Sequence, residues 1–461
     1  MKHNKLSGVT RRKFLKYGMY GGLLTGLLPS LWVAGCGKNK YPNIILITLD
    51  TTRADHLSCY GYHRRTSPNI DTLAEDSVVY TNAVAPASWT LPSHASLFTG
   101  KFTTSHGAQY DPDGPLFLTD AIRGPKAWQR YRARGLARDE ITLAEILSQA
   151  GYLTGAVVGG PWMKKVFGLN KGFDYYDDSE ISSVNGRLAP QINASALKWI
   201  KEKERNKFFL FLNYFDPHSP YRPPLSFAKK FLPENTNLQG REKTLKERVA
   251  LYDAEILYMD HYLGTLVASL KRDKLYENTM IVVTADHGEL FGEHGKHGHG
   301  HSLFQEEIHV PLIVKYPGTE TVADRTDMPV QLNDIMAMIL TRLGLPLPAG
   351  IQAGVPPQIG HPLLAEAYPL EVLSRDGHWR AFFEGDFKLL WNSKGNSLLF
   401  NLKSDPREEK NLLTRDPNRT KNMVSALNRY LAKLPTPGAI SAAGEIDKNT
   451  LNALKGLGYI E

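Results

Sequence analysis

The chain has 461 residues, 42% hydrophobic and 22% charged, with 55 Lys and Arg against 47 Asp and Glu for a formal charge of +8. Six of the basic residues (Lys2, Lys5, Arg11, Arg12, Lys13, Lys16) and no acid lie in residues 1–35, so the rest is near +2 and net charge gives no argument for nucleic-acid binding. Two cysteines exclude a disulfide-stapled scaffold, and about 425 residues beyond the leader support one large domain with a smaller one.

At the N-terminus, Thr10-Arg11-Arg12-Lys13-Phe14-Leu15-Lys16 resembles the twin-arginine export consensus. The Gly-rich apolar stretch Tyr17–Trp32 after it is too short and broken for a membrane span. It ends at Val33-Ala34-Gly35-Cys36, which resembles a lipobox, with Cys36 the lipidated residue. A plain signal peptide or an anchor helix is the simpler alternative, but the two motifs stand in the right order. Residues 1–35 are therefore expected to be a signal read by the twin-arginine export machinery. The protein is then exported and held by a lipid anchor on a bacterial membrane, facing the periplasm or cell exterior. With Cys36 lipidated, Cys59 has no intramolecular partner.

Asn43-Ile44-Ile45-Leu46-Ile47-Thr48-Leu49-Asp50 is an apolar run closed by an acid, the pattern of a strand buried on both faces of a parallel sheet. Phe208–Tyr214, Met280–Thr284 and Pro311–Val314 repeat it. Between them, Thr142 and Glu145 form a capping box that opens a helix, and Gly151 is its expected stop. Alternating strands and helices predict an α/β sandwich over residues 41–350. Further on, Trp379–Phe383, Phe387–Trp391 and Leu398–Asn401 are short strands separated by Gly, Asp and Asn. They predict a small antiparallel sheet, capped by a helix around Met423–Leu434, in a subdomain over 360–461.

The run Trp89-Thr90-Leu91-Pro92-Ser93-His94-Ala95-Ser96-Leu97-Phe98-Thr99-Gly100 resembles the sulfatase signature (Cys/Ser)-x-Pro-Ser-Arg…Thr-Gly. Asp50 and the Asp286-His287-Gly288 motif match that family's metal-binding strand ends. Leu399-Phe400-Asn401-Leu402…Asp405-Pro406-Arg407-Glu408…Asn411-Leu412 and Leu457-Gly458-Tyr459 match its C-terminal part. The chain from residue 41 onward thus resembles the sulfatases of the alkaline phosphatase superfamily. The resemblance implies an alkaline-phosphatase-like sandwich with a mostly parallel sheet and a small C-terminal α+β subdomain. It also implies one divalent ion on Asp50, Thr90, Asp286 and His287. Two carboxylates, an imidazole and a hydroxyl suit Zn²⁺ or Mn²⁺, with Ca²⁺ the harder alternative. Asp-His-Gly alone is a weak signal, and an acid closing a strand is often an N-cap. Three matches in family order carry the metal reading.

The departures from the family concern the reaction. Sulfatases oxidise their signature Cys or Ser to formylglycine; Thr90 offers neither a thiol nor a primary alcohol, but its hydroxyl remains a competent nucleophile beside a metal. Thr51 stands where the family has a second Asp, and His94 replaces its Arg. Gly159-Gly160-Pro161-Trp162-Met163 replaces a Gly-Lys-Trp-His, removing two sulfate-binding cations that Lys164 and Lys165 compensate for only if they face the site. His218, in Asp216-Pro217-His218-Ser219-Pro220-Tyr221, resembles the family's active-site His and is a candidate to protonate the leaving oxygen; a turn-capping loop His is the alternative. In His294–His301, two histidines fall near the place of a family Lys. His301 is the one expected to meet the substrate or a second Zn²⁺, against a loop that binds metal adventitiously. The stretch Arg123, Lys126, Arg130, Arg132, Arg134, Arg138 is read as a solvated face rather than a lipid or substrate contact, while Trp89 and Trp162 wall the pocket or pack in the core.

These readings predict a metal-dependent hydrolase or transferase acting on a phosphodiester, phosphomonoester or phosphonate through a phospho-Thr90 intermediate, catalysed by Thr90, His218, His301 and His94. The substrate is a small-molecule, lipid or glycan ester. The alternatives are a sulfuric ester hydrolase and, from another class, an inactive lipid-anchored binding protein.

Overall fold

In the computed structural model, which describes residues 41–437 except 235, 237–241, 319–323, 369–376 and 436, the first apolar run is a strand, Asn43–Leu49 (β1), buried along its whole length. Burial without alternation means that layers cover both faces of the sheet at this point. The leader, Cys36 and the Leu457–Tyr459 motif lie outside the described residues.

The strands Val78–Val84 (β2), Leu153–Val157 (β3), Tyr175–Asp177 (β4), Phe208–Tyr214 (β5), Thr279–Thr284 (β6), His309–Lys315 (β7), Asp324–Thr326 (β8) and Val330–Gln331 (β9) join β1 in one sheet. Their order is β8-β2-β7-β6-β1-β5-β3-β4, with β9 also on β2. Every pairing is parallel except those of β7, which opposes both β6 and β2. The Pro311–Val314 run therefore lies in the one reversed strand. Its register on β2 shifts between Val310 and Leu312, where Pro311 has no N–H to give the ladder. The strands β2, β3, β4, β8 and β9 were not anticipated: β2 is as long as β1 but more polar, and the others are shorter runs with less hydrophobic signal.

The helices form two groups. Thr90–Thr99 (α1) packs with Leu143–Gln149 (α2) and with Asp334–Arg342 (α6); Ala189–Lys203 (α3) packs along Leu245–Arg272 (α4). The expected box is present at α2, where Thr142 Oγ1 accepts from Glu145 N, and Gly151 follows its end with φ +81°. A single turn, Gln305–Ile308 (α5), precedes β7.

Leu364–Ala367 (β10), Trp379–Glu384 (β11), Phe387–Asn392 (β12) and Leu398–Asn401 (β13) form the second, antiparallel sheet in that order. Pro417–Leu431 (α7) covers it, with Leu364, Phe382, Leu389, Leu399, Met423, Leu427 and Phe102 in a shared apolar cluster. The helix starts earlier than its hydrophobic pattern suggests, because Asp416 caps it through Arg419 N and Pro417 takes the first position.

Candidate active site

Thr48 of β1 lies opposite Thr284 of β6, so the two parallel strands end side by side and deliver Asp50 and Asp286 to one place. This is the carboxyl edge, where open α/β sheets place their sites. Asp50, Asp286 and His287 bring their ligating atoms within 4.8 Å of one another. Thr90 Oγ1 lies 3.5 Å from His287 Nε2, which is 3.4 Å from Asp286 Oδ2. All four residues are buried.

Both Asp50 carboxylate oxygens and Asp286 Oδ2 are buried without a well-formed hydrogen bond among the described residues, the Asn213 side chain being a weak hydrogen-bonding neighbour that opposes the rise at Asp50. Burial, then the Asp286 carboxylate, raises the Asp50 carboxyl well above its ordinary range. Burial likewise raises Asp286 to about 7 and depresses the His287 imidazole. Two adjacent buried acids with free lone pairs are costly unless a cation sits between them, and a neutral imidazole is a metal ligand. The donor set therefore fits a divalent ion.

Thr90 is the first residue of α1, so the positive end of the helix lies beside its hydroxyl and favours an anion there. One turn on, Ser93 Oγ donates to the Asp286 carbonyl at 2.6 Å and ties the helix to the carboxylate strand. His94 is fully buried one helical turn on from Thr90. Its Nδ1–H donates to the Thr90 carbonyl at 2.8 Å and its Nε2 accepts from Thr48 Oγ1 at 2.9 Å. Burial holds its pKa down at about 4, so it stays neutral. His94 positions the start of α1 and replaces the family's Arg without supplying its charge.

Thr51 takes φ +53°, a left-handed conformation costly for a β-branched residue. Its N–H donates to Asp286 Oδ1 at 3.2 Å and its carbonyl accepts from the Tyr252 hydroxyl at 2.7 Å. The conformation bends the chain directly after Asp50, and no sequence signal announced it.

His218 follows β5 as expected. Its ring stacks on Phe215 at 4.3 Å and lies 5.1 Å from the ring of His299, which in turn lies 4.5 Å from that of His287. His299 Nδ1 meets Glu289 Oε1 at 3.2 Å, and Tyr221 donates to the other oxygen of Glu289 at 3.0 Å. Burial opposes the imidazolium of His299, but the Glu289 carboxylate overrides it and raises the pKa. His301 turns its Nδ1 to the His299 carbonyl at 3.0 Å, 7% exposed, and supports the loop. The loop ring that meets His218 and His287 is that of His299. Gly298 (φ +80°) and Gly300 (φ +84°) are both left-handed and break the alternation that would put 297, 299 and 301 on one face. Glu289 was also missed; its nearness to the Asp-His motif was the available signal.

Lys164 is engaged by the carbonyls of Asp178 and Ile181, and Lys165 pairs with Asp178, so neither replaces the lost cations. Trp89 and Trp162 meet edge to face at 5.2 Å, with Trp89 buried. In the basic stretch Arg134 pairs with Asp111 and Arg132 donates to Gly114 O, both contacts within the local chain.

The sulfatase family model matches residues 42–345. An ulvan-active sulfatase from Formosa agariphila is 26% identical over 439 residues, covering 85% of this chain and 81% of the relative. Among solved structures, BT4656 in complex with its substrate D-glucosamine-2-N,6-O-disulfate superposes with a TM-score of 0.70 at 18% identity, over 88% of this chain and 100% of that one. The phosphonate monoester hydrolase of Agrobacterium radiobacter gives 0.65 at 19% identity, over 85% and 95%. Both structural likenesses concern the fold.

Proposed function

The chain belongs to the sulfatase family, hydrolases of sulfate or phosphate esters, and from that premise we propose that it is a member with an unmodified Thr90 as nucleophile, acting on phosphodiesters, phosphomonoesters or phosphonates. The observation that carries the reading is the place of Thr90 Oγ1, at a helix N-terminus and 3.5 Å from His287 beside two unpaired buried carboxylates.

Asp50, Asp286 and His287 would hold a divalent ion, Zn²⁺ or Mn²⁺ in our reading, whose charge would acidify the Thr90 hydroxyl and neutralise substrate oxygen. Thr90 Oγ attacks phosphorus in line and the bond to the leaving alcohol breaks. His299, oriented by Glu289 and facing His218, gives the leaving oxygen its proton. Water then attacks phosphorus and frees Thr90. A threonine ester has no geminal hydroxyl on its carbon to expel the group, as a formylglycine hydrate has. Release must therefore come by attack on the central atom, and this favours phosphorus over sulfur. Sulfuric ester hydrolysis is the second reading, favoured by the ulvan-active relative and the disulfated sugar bound by BT4656. On the leader motifs we place the enzyme outside the cytoplasm, anchored through a lipidated Cys36.

The test compares turnover of aryl phosphodiester, aryl phosphonate and aryl sulfate, with Zn²⁺ or Mn²⁺, by the wild type, Thr90→Ser and Thr90→Ala. Phosphorus-ester turnover retained by the serine variant and lost by roughly 10⁴-fold or more in the alanine variant is expected. Mass spectrometry of a quenched reaction should show a phosphorylated Thr90 peptide. Dominant sulfate turnover would replace the phosphorus reading with the sulfuric ester one.

A further inference from the structure

A second buried polar group joins the C-terminal sheet to the loops of the active site. Lys388 of β12 and Glu408 are both fully buried, with Nζ and Oε1 2.7 Å apart. The other oxygen of Glu408 accepts the N–H of Gln305 at 2.7 Å, and Lys388 donates to the Gln305 side chain at 3.2 Å. Gln305 opens α5, and two residues on Glu307 makes two contacts toward the site. Its carbonyl accepts the N–H of Gly288 at 2.8 Å, and its carboxylate accepts from the Ser302 hydroxyl at the end of the His loop. Gly288 follows His287 directly. The packing there is so close that a Cβ on Gly288 would stand 2.0 Å from the Glu306 carbonyl oxygen.

Nearby, His294, Glu306 and Glu408 bring ligating atoms within 4.8 Å, and His294 Nε2 lies 3.3 Å from Glu306 Oε2. This resembles a metal site, but the Lys388 ammonium already sits against Glu408. The cluster has its cation from the protein itself.

We propose that Lys388 and Glu408 are positioning residues for the active site. They fix α5 from the C-terminal subdomain, and through it both the backbone of His287-Gly288 and the loop that carries His299. The physical reason lies in the shortness of α5. A single helical turn has little stiffness of its own, and its first amide has no partner within the turn. A fully buried ion pair tolerates little displacement, because separating the charges leaves each one uncompensated. The family's C-terminal motif around Asp405–Glu408 thereby gains a role at a site on the other sheet. This inference rests on the ion reading of Asp50, Asp286 and His287.

Two full-length variants test it. Lys388→Met/Glu408→Leu removes both charges and leaves neither stranded. Gln305→Pro spares the pair and cuts both its links to α5. Phe304 is extended (φ −68°, ψ 162°) and Gln305 is the first helical residue, a position that accepts proline. Zn²⁺ and Mn²⁺ affinities are measured by chelator competition, and melting temperatures with and without ion. We expect ion affinity to fall by roughly tenfold or more in both variants. The ion-induced rise in Tm shrinks, and kcat drops with KM nearly unchanged. Ion affinity and kcat equal to wild type in Gln305→Pro overturn the proposal, whatever the double variant does to the apo Tm. Wild-type protein that takes up no ion overturns the ion reading instead. The kcat of Gln305→Pro then decides the brace alone, and unchanged turnover ends it.

Discussion

His299 and His301 show how much depends on single residues in a loop. Both stand near the place of a family lysine, and only the left-handed Gly298 and Gly300 decide which one reaches His287 and His218. Replacing His299 by Ala should lower kcat by roughly 10²–10⁴-fold, the range for loss of a proton donor, with partial recovery in His299→Lys. His301→Ala should chiefly lower Tm; equal kcat losses at both positions would return His301 to the catalytic set. His94 gives the converse case. A reading by family position made it catalytic, whereas its two hydrogen bonds run to Thr48 and the Thr90 backbone. Truncation to Ala leaves Thr48 and that carbonyl short of a partner, a cost of about 1–3 kcal/mol measurable by chemical denaturation. Asp50 and the Asp286-His287 pair were legible because each closes a buried strand that the hydrophobic pattern marks, whereas Thr90 was legible only through the resemblance of the run Trp89–Gly100 to the family signature. Glu289 was not, since its nearness to the Asp-His motif, the one signal available, does not say that it will face an imidazole ten residues on.

The segment Asp216–Tyr221 is an element held by buried acids. Asp216 accepts from Ala189 N at the start of α3, and Glu255 of α4 accepts from Arg222 N at 2.6 Å. Burial, then Asp216, pushes the Glu255 carboxyl up to about 8, and burial pushes Asp216 up to about 7. The fold therefore keeps protons that the unfolded chain releases near pH 4 to 5. The stability that these two groups contribute is full below that range and is lost as pH rises through about 7 to 8. Glu255→Gln should flatten this decline, followed by denaturant titration at pH 5, 6.5 and 8; an unchanged slope would remove Glu255 as its source. At the neighbouring turn, Gly288→Ala drives a Cβ into the Glu306 carbonyl and should displace His287. We expect a loss of about 1–3 kcal/mol in stability, with weaker ion binding by chelator competition.

For the whole molecule, the expected ion couples the site to stability, because it binds the folded arrangement of Asp50, Asp286 and His287 and not the unfolded chain. Ion at a hundred times its dissociation constant should add about 2.7 kcal/mol, and exhaustive chelation should lower Tm accordingly in a thermal melt. Local patterns along the chain already specify the α/β class, the C-terminal antiparallel sheet, the helix boundary at Thr142 and the residues at the ends of β1 and β6. Hydrophobic period, capping chemistry and strand-end acids are local signals that survive in one dimension. The reversal of β7, the burial of His94 behind Thr90, the approach of His299 to Glu289 and the link from Glu408 to Gln305 come from the packing of the chain in three dimensions. Each of these depends on which distant segments share a surface, and on how a buried charge or hydrogen-bonding group finds its partner there. No local pattern in the chain encodes that pairing.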